Sequence, residues 1–343
     1  MKFSNLPQPT IQVDVAFYDE IEKQKLLKYP TATVMEQLVS QGVDISTADF
    51  LTYYLFHKKR LGILRYGDYF SIGREINQAL VALDGSIDFT GHSICTAEGV
   101  KHQLNEISEH IGEAVGLSVV SSIHGLTSAD WDLILPRQGR GAPPTFDYQI
   151  ASDGKQLIQA ENKGSSVQDN TEHSPAVRTH KVGITEKKDK LCELFKKGLD
   201  PYPSNLRYGT ITAVDSRRDG RVKCWLLDPD PERLDVDPRR FKLLSRMRFL
   251  LAWISLISPR SQLTSAFATR LRDLETIQNP FELNRVPLLR GNSEPFEFLP
   301  ANITEQYTTF MANKSHIIDG SAGGLAVQIR TMKHYSCWES GRS

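Results

Sequence analysis

Two short strand-like runs, Phe146-Asp147-Tyr148-Gln149-Ile150 and Gln156-Leu157-Ile158-Gln159-Ala160-Glu161-Asn162-Lys163, flank Ser152-Asp153-Gly154. Apolar runs bounding a turn-forming cluster read as a β-hairpin. Residues two apart on a strand share a face, so Glu161 and Lys163 project together. The register decides whether Asp147 joins them. A two-residue turn at Asp153-Gly154 would set Asp147 opposite Ala160 and turn it away from Glu161. A three-residue loop over Ser152–Gly154, with Gly154 left-handed, sets Asp147 opposite Gln159 and diagonal to Glu161 on the same face. The second register is expected. Asp132, at the start of another strand-like run, ranks below Asp147 as the first acid.

The flanking pattern places this hairpin in a larger fold. Thr96 is expected to cap a helix to about Val115, with Leu104, Ile107, Ile111, Ala114 and Val115 on its buried face and Gly116 as its stop. Leu117–Ile123 and Trp131–Leu135 read as strands, and Gln138–Pro144 as a loop. Asn170–Lys181 reads as a polar loop, Thr185–Lys197 as a charged helix. Tyr208–Val214 and Val222–Leu227 read as strands around a turn at Asp219-Gly220. The central order is helix, strand, strand, strand, helix, strand, an α/β core with a mixed sheet and helices on its faces. Upstream, Thr10–Phe17 alternates as a strand, and Val34–Val43 and Ala48–Phe56 read as helices. Tyr69–Ala82 fits either a strand or a helix, and Asp84-Gly85 marks a turn. The organisation expected is an N-terminal accessory or recognition region with α+β character over 1–90, a core over 91–230, and a helical C-terminal region over 231–343.

Composition narrows the chemistry. In 343 residues Lys plus Arg is 41 and Asp plus Glu is 41, so no global basic field exists and polyanion binding must come from local patches. Lys181, Lys187, Arg217, Arg218 and Arg221 form such candidates, as do the arginines and lysine between Arg233 and Arg248. The bland reading is a solvated helix face. Cys95, Cys192, Cys224 and Cys337 fit no zinc spacing, and the histidines show no metal-ligand spacing with them. Reduced thiols, an N-terminus without a signal-peptide core, and an apolar run of only Phe249–Ile257 predict a cytoplasmic chain with no membrane span. No glycine-rich nucleotide loop is present, so no nucleotide cofactor is expected.

Asp147, Glu161 and Lys163, the helix before them, and Gly164 after the lysine resemble the PD-(D/E)XK, or restriction-endonuclease-like, nuclease superfamily over roughly residues 97–230. The resemblance implies a restriction-endonuclease-like core. It also implies an endonuclease hydrolysing DNA phosphodiesters with Mg²⁺ or Mn²⁺, in restriction, anti-phage defence or mobile-element biology. In that superfamily two acids bind the metal and the lysine positions or activates water. Carried over, the metal ligands are Asp147, Glu161 and the carbonyl of Asn162, and Lys163 is the lysine. A glutamate of the first helix often joins. Glu106, Glu109 and Glu113 share one stripe opposite the apolar face and are expected to be exposed, with Glu106 preferred. The chain departs from the pattern in having no proline directly before Asp147 and a polar residue, Asn162, between the acid and the lysine. Acid-x-Lys recurs at Asp153–Lys155, in a turn, and at Glu186–Lys188, expected in a helix's opening turn. Only the 161–163 copy ends an apolar strand after an aspartate strand. The flanking regions offer surface for a second copy or a partner subunit. The alternative is a catalytically inactive module of the same fold that binds nucleic acid or assembles complexes.

Overall fold

The computed structural model describes residues 10–56, 69–90, 93–97, 104–133, 149–199, 206–216, 221–227 and 238–257, with residues 265, 268, 269, 271 and 272. Strands are β1 (Thr10–Phe17), β2 (Val43–Ser46), β3 (Ile87–Thr90), β4 (Ser93–Thr96), β5 (Trp131–Leu133), β6 (Gln149–Ser152), β7 (Leu157–Val167), β8 (Leu206–Asp215) and β9 (Val222–Leu227). Helices are α1 (Glu20–Leu26), α2 (Ala32–Gln41), α3 (Thr47–Phe56), α4 (Tyr69–Ser86), α5 (Leu104–His124), α6 (Pro175–Lys196) and α7 (Pro238–Ile257). The fold is α/β. Its seven-stranded mixed sheet runs β2-β1-β9-β8-β7-β6-β5, with β7–β8 and β1–β9 parallel and the other pairs antiparallel. β3 and β4 form a separate ribbon. The core order α5, β5, β6, β7, α6, β8 reads helix, strand, strand, strand, helix, strand, although Leu117–Ile123, expected as a strand, belongs to α5.

Helix α5 covers one face of the sheet. Ile158, Ala160, Tyr208, Val222, Cys224 and Leu226 pack beneath it in one apolar cluster with Ile11, Val13 and Val15 of β1. Helix α3 lies across α5, where Tyr53 Oη and Trp131 Nε1 both reach Ser121 Oγ, at 2.8 and 2.9 Å. On the other face α6 seats Val177 and Ile184 against Ile211, Ala213, Trp225 and Leu227. Helix α7 sits over β6, with Phe241 against Ile150 and Leu157. β1 thus belongs to the same sheet as β5–β9, although it comes from the N-terminal region.

Several local expectations are corrected. Gly116 does not end α5, which continues through Leu117–Ile123. A Cβ at Gly116 would run into Asn162 Oδ1 and Thr210 Oγ1, so this glycine serves helix–sheet contact rather than a stop. One turn earlier, a Cβ on Gly112 would stand 2.5 Å from the Gly164 Cα. Thr96 caps no helix; it lies in β4, its hydroxyl 2.7 Å from that of Ser166. Asp84-Gly85 lies inside α4, which settles Tyr69–Ala82 as helix. The segment Asn170–Lys181 is not all loop, because α6 starts at Pro175, whose missing N–H costs nothing in a first helical turn. Glu186–Lys188 is therefore mid-helix. The C-terminal region shows α7, and the rest of it lies outside the described residues apart from the five scattered positions.

The hairpin register also differs. Ile150, not Asp147, pairs with Gln159, and Ser152 pairs with Leu157. The loop spans Asp153–Gln156, one residue longer than expected. Asp153 is the cause: its Oδ1 accepts the amides of Lys155 at 2.7 Å and Gln156 at 2.8 Å, closing the chain on itself. Gly154 takes the left-handed conformation as expected, at φ +92°.

Candidate functional site

β7 continues beyond Lys163 to Val167, so Glu161, Lys163 and Ser165 form a polar row on the α6 face of the sheet. Glu161 is 1 % exposed. A carboxylate that deep needs partners for both oxygens. Lys163 Nζ lies 2.8 Å from Oε1, and Lys187 Nζ, reaching down from α6, lies 2.5 Å from Oε2. Both lysine side chains keep about a quarter of their surface in solvent, at 27 % and 25 %. One buried carboxylate is thus clamped by two partly exposed lysines from different elements.

The row continues with Ser165, whose Oγ lies 2.6 Å from His180 Nε2 on α6. Burial pushes the His180 imidazole below its ordinary range, and the Lys163 ammonium pushes it further down. The Glu109 carboxylate partly opposes this.

Asn162 points to the opposite face. Its Oδ1 accepts the Thr210 hydroxyl at 2.7 Å, beneath Gly116. That accounts for a polar residue at this strand position: its amide oxygen and the hydroxyl satisfy each other in the close approach that the glycine permits. Its backbone pairs with Thr210 in the β7–β8 ladder.

The other sequence candidates are scattered. Asp147, Arg217 and Arg218 lie outside the described residues. Glu106 is exposed, its carboxylate 3.9 Å from His110 Nε2. The stripe of α5 glutamates does not stay in solvent as one: Glu113 is 8 % exposed. Gly112 lets the helix settle onto β7 and carries its neighbour inward. Of the three, Glu109 is the acid whose charge reaches the Lys163–His180 cluster. Lys181 turns to α1, 3.7 Å from the buried Glu22 carboxylate and over the Tyr18 ring. Lys187 joins Glu161. Arg221 is exposed, 3.6 Å from Asp14. Asp132 shares its face with Gln159, through the β5–β6–β7 ladder, and pairs with Arg248 of α7 at 3.0 Å.

Sequence reasoning missed the roles of Lys187, His180 and Ser165. Ser165 alone carried a signal, lying two residues beyond Lys163 on a strand that had been expected to stop earlier.

The oxygen donors here suit a hard cation in kind. Glu161 already holds two cationic groups, one on each oxygen. Among the described residues no three His, Cys, Asp or Glu side chains converge at this point or elsewhere. Among the described helices none is long and apolar enough to cross a membrane. Cys95, Cys192 and Cys224 are free thiols, and burial pushes Cys224 up to about 12. No family model matches this chain, and no curated protein or solved structure matches it either.

Proposed function

We propose that the chain is a metal-dependent endodeoxyribonuclease with a restriction-endonuclease-like core. The observation that carries the reading is the buried Glu161 carboxylate with Lys163 beside it, on the sheet face covered by α6. The order α5, β5, β6, β7, α6, β8 supports it, because the acid-x-Lys strand is the one from which the chain crosses over to a parallel neighbour. Glu161 and the carbonyl of Asn162 would hold Mg²⁺ or Mn²⁺; the pairing of Ile150 with Gln159 gives the face of Glu161 to the even positions of β6, so Asp147, outside the described residues, would need a bulge before Gln149 to join them. A divalent cation held there would supply charge neutralisation at the scissile phosphate and would lower the pKa of a bound water, so that hydroxide is available as the nucleophile. Lys163 keeps its ammonium 2.8 Å from Glu161, where it stabilises charge developing on phosphate oxygens. Glu161, held by packing and by Lys163 on Oε1, does not reorganise as that charge appears. DNA is the substrate, a second copy or partner subunit would complete the assembly, and the cell compartment is the cytoplasm. Arg217, Arg218 and Arg221 would contact the phosphate backbone.

The second reading, a catalytically inactive module of the same fold, is favoured by one observation: both Glu161 oxygens are occupied by the protein's own ammoniums. Incubating the protein with plasmid, linear and single-stranded DNA plus Mg²⁺, Mn²⁺ or EDTA separates the two. Cleavage that needs the cation, and that falls roughly a hundredfold or more in Glu161→Gln and Lys163→Ala, supports the nuclease. Absence of cleavage with any substrate supports the inactive module.

A further inference from the structure

A serine hydroxyl held against a neutral imidazole is the arrangement that activates a nucleophile, and β7 carries one just past Lys163. Ser165 Oγ lies 2.6 Å from His180 Nε2, within the reach that a nucleophile and its base need. The two come from different elements, strand β7 and crossover helix α6, and both keep part of their surface in solvent. A neutral imidazole donates at one nitrogen and accepts at the other. The Gly164 backbone accepts an N–H from the ring, while burial and the Lys163 charge disfavour a second ring proton. The Glu109 carboxylate, on α5, pulls the other way without outweighing them. The ring beside Ser165 is thus oriented by a backbone oxygen and has a lone pair for the hydroxyl proton. The same stretch supplies groups for the charge that an attack creates. Val167 gives its carbonyl to Ser216 past the end of β8, and backbone groups alternate between the two edges of a strand. Ser166, directly after the serine, therefore turns its N–H to the edge away from β8. Among the described residues β6 pairs with that edge only as far as Gln159. Lys163 adds a positive charge on the Ser165 face of the strand.

We propose that Ser165 and His180 form a second catalytic site, one that cleaves carboxylic esters without a metal. The proposal goes beyond the nuclease reading and does not depend on it. Ser165 Oγ bonds to the carbonyl carbon, its proton passes to His180 Nε2, and the carbonyl electron pair moves onto oxygen. The Ser166 amide and the Lys163 ammonium would meet that oxyanion. As the tetrahedral centre collapses, the bond to the leaving oxygen breaks and His180 gives that oxygen the proton. Water then attacks the acyl-serine, His180 takes the water's proton and hands it to Ser165 Oγ, and the carboxylic acid leaves. The charge of the row favours a carbonyl over a phosphodiester. Glu161 balances one of its two lysines, so the row carries one net positive charge. That matches the single charge formed on a neutral carbonyl, not the two on an attacked phosphodiester. Ser165 and His180 are the catalytic residues, and Lys163 and Glu109 are positioning residues that set the proton affinity of the ring.

The test uses the full chain in EDTA, so that no divalent cation contributes. The chain is treated with a fluorophosphonate, which bonds to an activated serine oxygen and releases fluoride, and the labelled position is read by peptide mass. Ser165 should be labelled and the exposed Ser40 should not. His180→Gln should slow the labelling by about a hundredfold or more, the usual worth of a positioned base. Ser165→Ala should abolish release of nitrophenol from para-nitrophenyl acetate above the solvent rate. The pH profile separates catalysis from a hydrogen bond that only holds α6 to β7. Labelling should rise with pH through a midpoint below 6.5. Glu109→Gln, at an exposed position, should move that midpoint down, and Lys163→Gln should move it up, since each removes a charge that acts on the ring. Folded wild type left unlabelled at Ser165 overturns the proposal. Labelling as fast in His180→Gln overturns it too, as does a midpoint that neither charge variant moves. Release from bis-para-nitrophenyl phosphate but not from the acetate overturns the carboxylic ester as substrate. None of these outcomes touches the nuclease reading, which expects DNA cleavage only when EDTA is replaced by Mg²⁺ or Mn²⁺.

Discussion

At Glu161 burial and charge pull against each other, and the side chains around it show how the chain resolves the conflict. Two ammoniums hold the carboxylate, and the same Lys163 charge, added to burial, keeps His180 deprotonated below its usual range. The folded imidazole therefore holds a proton less tightly than the free side chain, at 6.5. As pH falls through that value the unfolded chain takes up more protons than the folded one. Stability present above it is lost on the way down to the lower, folded value. His180→Gln should flatten this acid limb below pH 6.5 in urea-melting curves, relative to wild type. Gly116 makes a second residue-scale prediction. A Cβ there collides with Asn162 and Thr210, so Gly116→Ala should cost about 1–3 kcal/mol in denaturant titration, through overpacking and a disturbed buried hydrogen bond. An exposed interior glycine such as Gly85, with nothing near its missing Cβ, should instead tolerate or gain from alanine.

The elements were legible to different degrees. The strands read at Thr10–Phe17, Tyr208–Val214 and Val222–Leu227 survive as β1, β8 and β9; β1 alternates because one of its faces is the more deeply buried, whereas β8 is buried on both faces and does not alternate. The end of α5 was not legible at Gly116. A glycine that stops a helix and one that lets it touch a sheet look alike in sequence, and only the partner strand distinguishes them. The hairpin register failed for a related reason: Asp153 closes the loop with its own side chain, which shifts every pairing downstream. Helix α7 makes the prediction at this scale. It is strapped to the turn before β5 by Arg246, whose Nε and Nη2 donate to Asp130 at 2.6 and 3.1 Å, and to β5 by Arg248 on Asp132. Asp130 is fully buried, its Oδ2 also accepting Thr127 N and Oγ1. Arg246→Met should leave that carboxylate without its guanidinium and cost roughly 3–5 kcal/mol, whereas Arg246→Met with Asp130→Asn should recover part of the loss. Chemical denaturation of the two variants measures the difference.

For the whole molecule, the decisive feature is that one sheet gathers strands from both ends of the described chain. β1 pairs with β9 in parallel and β2 closes that edge, while Ile11, Val13 and Val15 share the cluster beneath α5. Removing residues 1–46 would open the β9 edge and uncover that cluster. Such a truncation should lose cooperative melting and aggregate rather than leave a free-standing core, as calorimetry and light scattering would report. Contacts of this kind join residues roughly two hundred positions apart, and no local pattern announces them.

The amino-acid order alone determined the alternation of strands and helices, the shared face of Glu161 and Lys163, and the mixed α/β character. Each follows from the period of the backbone and the sidedness of burial. Only the tertiary structure decided that Lys187 and His180 come down onto that row, that Asn162 turns to Thr210, and that Lys181 is taken up by Glu22. Those outcomes depend on how a crossover helix is set against its sheet, where a rotation of one residue exchanges a solvent-facing lysine for a buried one.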